Sequence, residues 1–419
     1  MITSIRLVNF KNFADETLRV GPFTAIVGAN ASGKSNIRDA FRFLHGIGRS
    51  YTLTEIIGGK YGVGGQIEWA GIRGAMDEII RFNQPSVLFQ VEVENFTYTI
   101  KVGRDEDRDG AFQVIEESLK LSANRIYSTQ SERGNLQSLR PGDGELLLHW
   151  DRSISPREIN NYVKVRSDQP GITQFQRKER APDKHRPSTD RVIQVLGNMR
   201  FLDLDPQRMR EPAFPGQTAM GDRGEYLPTV LQAICEDSQR KETLVEWMRE
   251  LTPMDVRDFE FPTDPSGRVH LVFLEANDRR VSAYAASDGT LRFLAMLAVL
   301  LGPDPDGLYF FEEIDNGIHP ARQWLLLELI EKQTAKQGIQ VITTTHSPDL
   351  LTVMNDDTFK NASVVSRLED ADDAIIRPVA KLPRAGELRK SQGLGNLLSG
   401  GWMEDALAFT EGYNEEVGE

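Results

Sequence analysis

The sequence predicts an α/β protein with a mostly parallel sheet, an antiparallel β subdomain and a helical insertion. Three observations lead to this fold class. Residues 23–44 follow the pattern of a strand, a glycine-rich loop and a helix. Residues 86–121 alternate apolar and polar side chains with the period of two that β-strands have. Residues 285–367 alternate helical and strand patterns, which indicates the second half of a parallel sheet.

The glycine-rich loop, residues 28–35, has the complete pattern G-x-x-x-x-G-K-S. Its glycines allow the backbone to curl so that N–H groups point at phosphates, and the following helix adds the partial positive charge of its N-terminus. A lysine and a serine at these positions can reach the β- and γ-phosphates and ligate Mg²⁺, respectively. The predicted nucleotide-binding residues are Gly28, Ala29, Asn30, Ala31, Ser32, Gly33, Lys34, Ser35 and Asn36, with Ser35 as a metal ligand.

The remaining elements follow in chain order. The pattern of residues 1–20 predicts two strands joined by a turn at 11–13. Residues 46–75 are rich in glycine, which predicts an irregular connection. Strands are predicted at 86–93, 96–102, 110–115, 117–121 and 269–274, and one or two amphipathic helices at 226–251. Residues 122–200 are mixed and polar, without the heptads of a long coiled-coil arm.

An apolar strand at 307–311 ends in two carboxylates, Glu312 and Glu313. In P-loop enzymes the first such carboxylate orients the Mg²⁺ shell, and the next can polarise the water that attacks the γ-phosphate. Glu312 stands where aspartate is usual, and this departure argues against fast turnover.

Two further stretches complete the set of candidate residues. Ser287, Asp288 and Gly289 have the pattern of a helix start, where a hydroxyl and exposed N–H groups can hold an anion. The buried strand 340–345 delivers His346 to the carboxyl edge of the sheet, where it can contact the γ-phosphate or the attacking water.

In this order the motifs resemble the ABC-type ATPase heads of the RecF/SMC/Rad50 kind. The chain is most similar to the AAA-family ATPases related to the overcoming-lysogenisation-defect nucleases and to bacterial defence systems. The resemblance is carried by both ends of the chain, and residues 104–260 contribute little to it. The matching stretches are 5–13, 28–36, 287–292, 312–320 and 345–348.

The resemblance implies a head-to-tail homodimer, or a higher homo-oligomer, that holds two ATP molecules with Mg²⁺ between its heads. In that family the helix-start motif touches the γ-phosphate bound to the other subunit, and a loop after the acidic strand crosses the dimer interface. Carried over to this sequence, the motif that acts on the partner subunit is Ser287, Asp288 and Gly289, and the interface loop contains Asp315 and Asn316. The catalytic glutamate is Glu313 and the switch histidine is His346. Glu312 belongs to the shell of the metal ion. The glutamine that senses Mg²⁺ is not assigned, since Gln66, Gln84, Gln90 and several later glutamines compete for the role.

Length and composition narrow the class of protein further. A chain of 419 residues is expected to form more than one lobe, here with boundaries at 1–121, 122–260, 261–381 and 382–419. No apolar run approaches the ~20 residues of a membrane span. Cys235 is the only cysteine, so no disulfide can form within the chain, and a cytoplasmic location is expected. The net charge of −13 limits DNA contact to a local basic stretch such as 177–191, for which a solvated loop is the favoured interpretation.

Three functions fit these features. The first is an ATPase whose ATP-driven dimerisation controls an effector, a nuclease-like partner in antiphage or anti-plasmid defence. The overcoming-lysogenisation-defect nucleases carry a Toprim nuclease domain after the ATPase. Here only about 70 residues follow His346, fewer than a typical domain, and they lack a paired-carboxylate strand motif, so a nuclease that takes part is expected on a separate chain. The alternatives are a RecF-like DNA-binding ATPase of repair or maintenance, and a nucleotide-dependent scaffold that hydrolyses ATP slowly.

Overall fold

The computed structural model describes residues 1–74, 76–105, 110–129, 144–150, 161–175, 177–179, 181–302, 305–367, 373–403 and 405–407. Over these residues the chain divides into two compact units. The first unit comprises Met1–Gly21, Gly28–Met199 and Ser363–Pro378. The second comprises Pro22–Val27, Arg200–Ala362 and Val379–Glu419.

The described strands are numbered in chain order. They are β1 (Ile2–Phe10), β2 (Phe13–Arg19), β3 (Phe23–Val27), β4 (Lys60–Tyr61), β5 (Ile67–Trp69), β6 (Ser86–Val93), β7 (Phe96–Asp105), β8 (Ala111–Leu121), β9 (Asn124–Ser128), β10 (Glu145–His149), β11 (Tyr162–Arg166), β12 (Met199–Leu202), β13 (Val256–Glu260), β14 (Val272–Glu275), β15 (Arg280–Ser282), β16 (Leu308–Phe311), β17 (Gln340–Thr345), β18 (Ser363–Arg367) and β19 (Ala374–Pro378).

The described α-helices are numbered in the same way. They are α1 (Lys34–Gly48), α2 (Leu53–Gly58), α3 (Gly171–Phe175), α4 (Arg186–Gly197), α5 (Pro206–Arg210), α6 (Leu227–Cys235), α7 (Ser238–Leu251), α8 (Asp288–Leu301), α9 (Gln323–Gln337), α10 (Pro348–Thr352), α11 (Asp356–Lys360), α12 (Ala385–Gln392) and α13 (Leu394–Ser399).

The first unit is built on an eight-stranded antiparallel sheet in the order β11-β10-β9-β8-β7-β6-β1-β2. Helix α1 packs on this sheet through Phe43, whose ring stacks on Phe89 of β6 at a centroid distance of 4.2 Å. On its other side α1 meets α4 so closely that a Cβ on Gly48 would lie 2.1 Å from the amide nitrogen of Gly197. The predicted antiparallel subdomain is therefore present, and it supports the helix that follows the glycine-rich loop.

A buried carboxylate holds this sheet together at β8. The carboxylate of Glu117 is 1% exposed and accepts hydrogen bonds from the hydroxyls of Tyr98 and Tyr127 at 3.1 and 2.8 Å. It also accepts from the amides of Gly171 and Ile172, the first residues of α3, at 2.5 and 2.7 Å. Burial raises the pKa of the Glu117 carboxyl, and these donors act against that rise by stabilising its charged form.

We expect Glu117→Gln to lower the free energy of unfolding by about 2–3 kcal/mol, because an amide offers one acceptor oxygen and leaves a buried N–H or O–H donor unpaired. Urea unfolding followed by circular dichroism measures this change. The neighbouring Glu116, whose side chain is 41% exposed beside Lys101, provides the control as Glu116→Gln. Equal stability of the two variants would contradict a structural role for the buried carboxylate.

The second unit contains the parallel part of the fold. Strands β12, β16, β17 and β3 lie side by side in that order, and β17 pairs in parallel with both β16 and β3. Helix α8 packs with α5, α6, α7 and α9, and strands β13–β15 form a small antiparallel sheet. The predicted mostly parallel sheet is thus confirmed. Of the five helices, α5, α6 and α7 come from the segment predicted as a helical insertion, and α8 and α9 from the segment after it.

Several predicted elements differ in detail from the observed ones. The strands predicted at 110–115 and 117–121 form the single strand β8, because the acidic pair between them continues the strand with Glu117 buried. Residues 46–75, predicted as irregular, contain α2 and the β4–β5 hairpin. Cys235 is half-buried, and burial raises its thiol pKa to about 11. Across the described residues, no helix combines the length and apolar character that crossing a membrane requires.

Candidate nucleotide-binding site

The glycine-rich loop begins where β3 ends. All five residues of β3 are buried, and its last residue, Val27, is the register partner of Thr345 in β17. The next residue, Gly28, has φ 154°, and a Cβ there would lie 2.0 Å from the carbonyl oxygen of Val365. Since that atom belongs to the backbone and cannot move aside cheaply, only glycine fits at this position.

Lys34 lies inside the loop rather than in solvent. Its side chain is buried, and Nζ donates to the carbonyl oxygens of Gly28 and Ala29 at 2.7 and 2.6 Å. Ser32 is also buried, and its Oγ has no hydrogen-bond partner among the described residues. A buried ammonium and a buried hydroxyl are therefore directed into the same short loop, as a site for an oxyanion requires.

The N-terminus of α1 is open towards the loop. Gly33 occupies the cap position with φ 112° and supplies no side-chain cap, and the first turn contains no acidic residue. A Cβ on Gly33 would lie 2.8 Å from Nδ2 of Asn12, and the side-chain Nδ2 of Asn36 donates to Oδ1 of Asn12 at 2.7 Å. The uncapped amides and the helix dipole both favour an anion here.

A buried ion-pair cluster holds α1 and the loop in place. Asp39 of α1 is 1% exposed and pairs with Nζ of Lys11 at 2.5 Å and with Nε of Arg73 at 3.2 Å. Arg73 also donates to the carbonyl oxygen of Ser35 at 2.8 Å. The segments 1–20 and 46–75 thus contribute directly to the position of the first helical turn.

In the second unit the two predicted carboxylates leave the carboxyl end of β16. The amide of Glu312 donates to the carbonyl oxygen of Leu202 at 3.4 Å, and its side chain is half-buried. Glu313 has φ 49°, a strained value for a residue other than glycine, and its amide donates to Oγ1 of Thr344 at 3.1 Å. Its carboxylate is 52% exposed, with Oε1 lying 3.8 Å from Nε2 of His346.

The structure therefore brings the predicted catalytic glutamate and switch histidine together. Asn316 joins them, since its Nδ2 lies 3.5 Å from Oε2 of Glu313. Asp315 is directed inward: burial raises the pKa of its carboxyl, and a hydrogen bond with the Thr345 side chain acts in the opposite direction. Of the two residues predicted for an interface loop, Asn316 is the exposed one.

The predicted helix-start motif forms the N-terminus of α8. Oγ of Ser287 accepts from the Thr290 amide at 3.2 Å, which makes it the N-cap, and Ser287 and Asp288 are exposed. Gly289 packs against the loop after β16, where a Cβ on Gly289 would lie 2.1 Å from the carbonyl oxygen of Gly317. The motif and the loop carrying Asp315 and Asn316 are therefore in backbone contact.

Sequence reasoning missed the residues that support these motifs. They are distant along the chain from the groups they hold, so no local pattern indicates them. The supporting residues are Lys11, Asn12, Asp39 and Arg73 around the loop, Thr343 and Thr344 under the acidic pair, and Arg210 and Gly317 beside α8.

The basic stretch at 177–191 is partly neutralised by acidic residues. Nε of Arg186 pairs with Asp183 at 2.9 Å, and Arg191 pairs with Glu94. These pairs reduce the positive charge available for a DNA contact at this place.

Two features define a P-loop ATPase domain of the α/β class. The first is a strand that leads into a glycine-rich loop and an uncapped helix. The second is a strand that ends in acidic residues and pairs with a strand that ends in histidine. A family model matches residues 23–352 with the description "AAA domain, putative AbiEii toxin, Type IV TA system". The chain belongs to this AAA-domain family. The predicted relation to AAA-family ATPases is thereby confirmed.

Among solved structures, the chain is similar to the SMC head domain from Thermotoga maritima, with 13% identity, coverage of 90% of this chain and 98% of that one, and a TM-score of 0.42. A second similar structure is the Smc head domain with a coiled coil and joint from Pyrococcus yayanosii, at 14% identity, 93% and 99% coverage and a TM-score of 0.44. Comparison with curated proteins gives no match.

Proposed function

We propose that this chain binds ATP at the loop 28–36 and hydrolyses it, and that ATP-dependent head-to-tail dimerisation controls a separate effector protein. The observation that carries the proposal is the loop itself. Lys34 Nζ is held inside it by two carbonyl oxygens, and the N-terminus of α1 opens on it without a side-chain cap. A polyphosphate matches the positive charge of Lys34 and of the helix N-terminus.

Each predicted residue has a role in the proposed reaction. The amides of the loop and Lys34 bind the β- and γ-phosphates, while Glu313 polarises the attacking water and His346 contacts the γ-phosphate or that water. Ser35 and Glu312 offer hydroxyl and carboxylate oxygens, the ligand type that Mg²⁺ prefers. Mg²⁺, when bound, neutralises charge on the β- and γ-phosphate oxygens.

The dimer is supported by the exposed polar groups of the second unit. Ser287 and Asp288 at the start of α8 are open to solvent, as is Asn316. In a head-to-tail pair, Ser287 and Gly289 would act on the nucleotide of the partner, and the Asp315–Asn316 loop would lie at the interface. Sedimentation velocity with ATP, ADP or no nucleotide tests this: association that requires ATP is expected, and a monomer under all three conditions would contradict it.

The effector part of the proposal draws on the family description, which names a putative toxin of a type IV toxin–antitoxin system. Toxin–antitoxin systems have two components, which agrees with a separate partner and with a role in antiphage or anti-plasmid defence. The test is to coexpress the chain with the product of the adjacent reading frame and measure nuclease activity with and without ATP. ATP-dependent activity supports the proposal, whereas activity indifferent to this chain contradicts it.

A second candidate is a scaffold that holds ATP and hydrolyses it slowly, which Glu312 favours because its side chain is one methylene longer than aspartate. We expect Glu312→Asp to raise kcat about tenfold, equivalent to ~1.4 kcal/mol of activation free energy. Steady-state phosphate release measures it, with Glu328→Asp on the exposed face of α9 as the control. An unchanged kcat would remove the observation that favours the scaffold.

A further inference from the structure

Arg210 is the last residue of α5, and it bonds to both sides of Ser287 at the start of α8. Its Nη2 donates to the carbonyl oxygen of Ala286 at 2.9 Å and to Oδ1 of Asp288 at 2.7 Å. One guanidinium nitrogen therefore spans the three-residue turn that forms the N-cap of α8.

The surroundings of Arg210 fix its direction. The side chain is 16% exposed, whereas that of Asp288 is 70% exposed. Helix α5 is itself anchored, because its N-cap Asp205 accepts from the Gln207 amide at 2.9 Å and from Nη2 of Arg223 at 2.6 Å. Arg210 thus approaches the turn from the protein side and leaves the outer face of Ser287 open.

The negative charge of Asp288 explains what the ion pair with Arg210 does at this turn. A carboxylate in the first turn stabilises a helix through its dipole. The same carboxylate, one residue from Ser287, would repel a phosphate that approaches the turn from outside, since like charges separated by a few ångströms interact strongly near a protein surface. Arg210 offsets the negative charge of Asp288 while it donates to the Ala286 carbonyl oxygen.

We infer that Arg210 is a positioning residue for the proposed ATP-dependent dimer: it makes the turn 286–289 acceptable to the γ-phosphate bound to the other subunit. The inference rests on the proposed function of that turn. Arg210 itself does not contact the nucleotide in this arrangement. Its loss leaves the exposed carboxylate of Asp288 unpaired beside the incoming phosphate.

The test measures two equilibria in the full-length chain. Binding of ATP to dilute protein reports the loop 28–36, and ATP-dependent self-association reports the turn at α8. We expect Arg210→Met to change the affinity for ATP by less than about twofold and to weaken ATP-dependent self-association about tenfold. A change of about tenfold is the effect that one charge-assisted hydrogen bond has on an equilibrium. The matched control is Arg208→Met on the same helix, where Arg208 pairs only with the exposed Glu211 at 3.1 Å among the described residues.

A rescue variant separates electrostatics from structural damage. In the double variant Arg210→Met/Asp288→Asn, self-association should recover at least half of the lost affinity on a logarithmic scale, because the unpaired carboxylate is gone. If Arg210→Met associates like the unmodified chain, or if Asp288→Asn gives no recovery, the inference is wrong. If the unmodified chain itself does not associate with ATP, the proposed function fails instead.

Discussion

Replacing Lys34 with alanine is expected to lower the affinity for ATP at least about a hundredfold, since charge-assisted hydrogen bonds contribute about 1.5–3 kcal/mol each and this ammonium can make more than one. In the structure, Nζ donates to the carbonyl oxygens of Gly28 and Ala29. Phosphate oxygens can replace these acceptors, so the lysine is already inside the site. Equilibrium dialysis with ATP, in the presence of Mg²⁺, measures the change.

The control for this variant is Lys332→Ala, which removes an exposed lysine of α9 that pairs with Glu328. It should bind ATP like the unmodified chain. Thermal unfolding of both variants establishes that the loop change leaves the fold intact. Unchanged ATP affinity in a folded Lys34→Ala protein would refute nucleotide binding at this loop and, with it, the rest of the proposed function.

Glu313→Gln is expected to reduce kcat for ATP hydrolysis about 10²- to 10³-fold, within the range that general-base catalysis contributes. The amide keeps the shape of the carboxylate and cannot accept a proton from water. Because ATP binding by the loop 28–36 is retained, the variant should accumulate as an ATP-bound dimer. Phosphate release and sedimentation velocity measure the two effects.

Glu328→Gln, on the exposed face of α9, is the matched control and should behave like the unmodified chain. A Glu313→Gln protein with normal turnover would remove Glu313 from the reaction. If ATP turnover is low in both the Glu313→Gln variant and its control, and the substitution does not change self-association, the slow-hydrolysing scaffold is the better description of this protein.

The parts of the site that sequence could predict are those encoded by neighbouring residues. The loop 28–35 was predictable because its pattern, the strand before it and the helix after it lie within about 25 residues, and β3, α1 and the N-cap Ser287 were found as expected. The same holds for β16, whose apolar run stops at Glu312, and for β17, whose three final threonines precede His346.

The parts that sequence could not predict depend on contacts between distant residues. Asp39 binds Lys11 and Arg73, which lie 28 and 34 positions away, and no pattern in one sequence relates them. Glu117 is similar: an acidic residue in an alternating strand is expected to face solvent, and only the fold brings two tyrosines and two amides to it. Whether a charged residue is buried is decided by its tertiary partners.

The contact between Gly289 and Gly317 has a mechanical consequence. A Cβ on Gly317 would lie 2.9 Å from the Cα of Gly289, so the start of α8 and the segment after β16 leave no room for a side chain between them. Interiors packed this tightly transmit strain instead of absorbing it. Gly317 lies four residues after Glu313, whose backbone is strained, so the start of α8 is in contact with the loop that carries this strain. In the proposed dimer, the turn that faces one nucleotide would thus be tied directly to the loop that carries the catalytic glutamate of its own subunit.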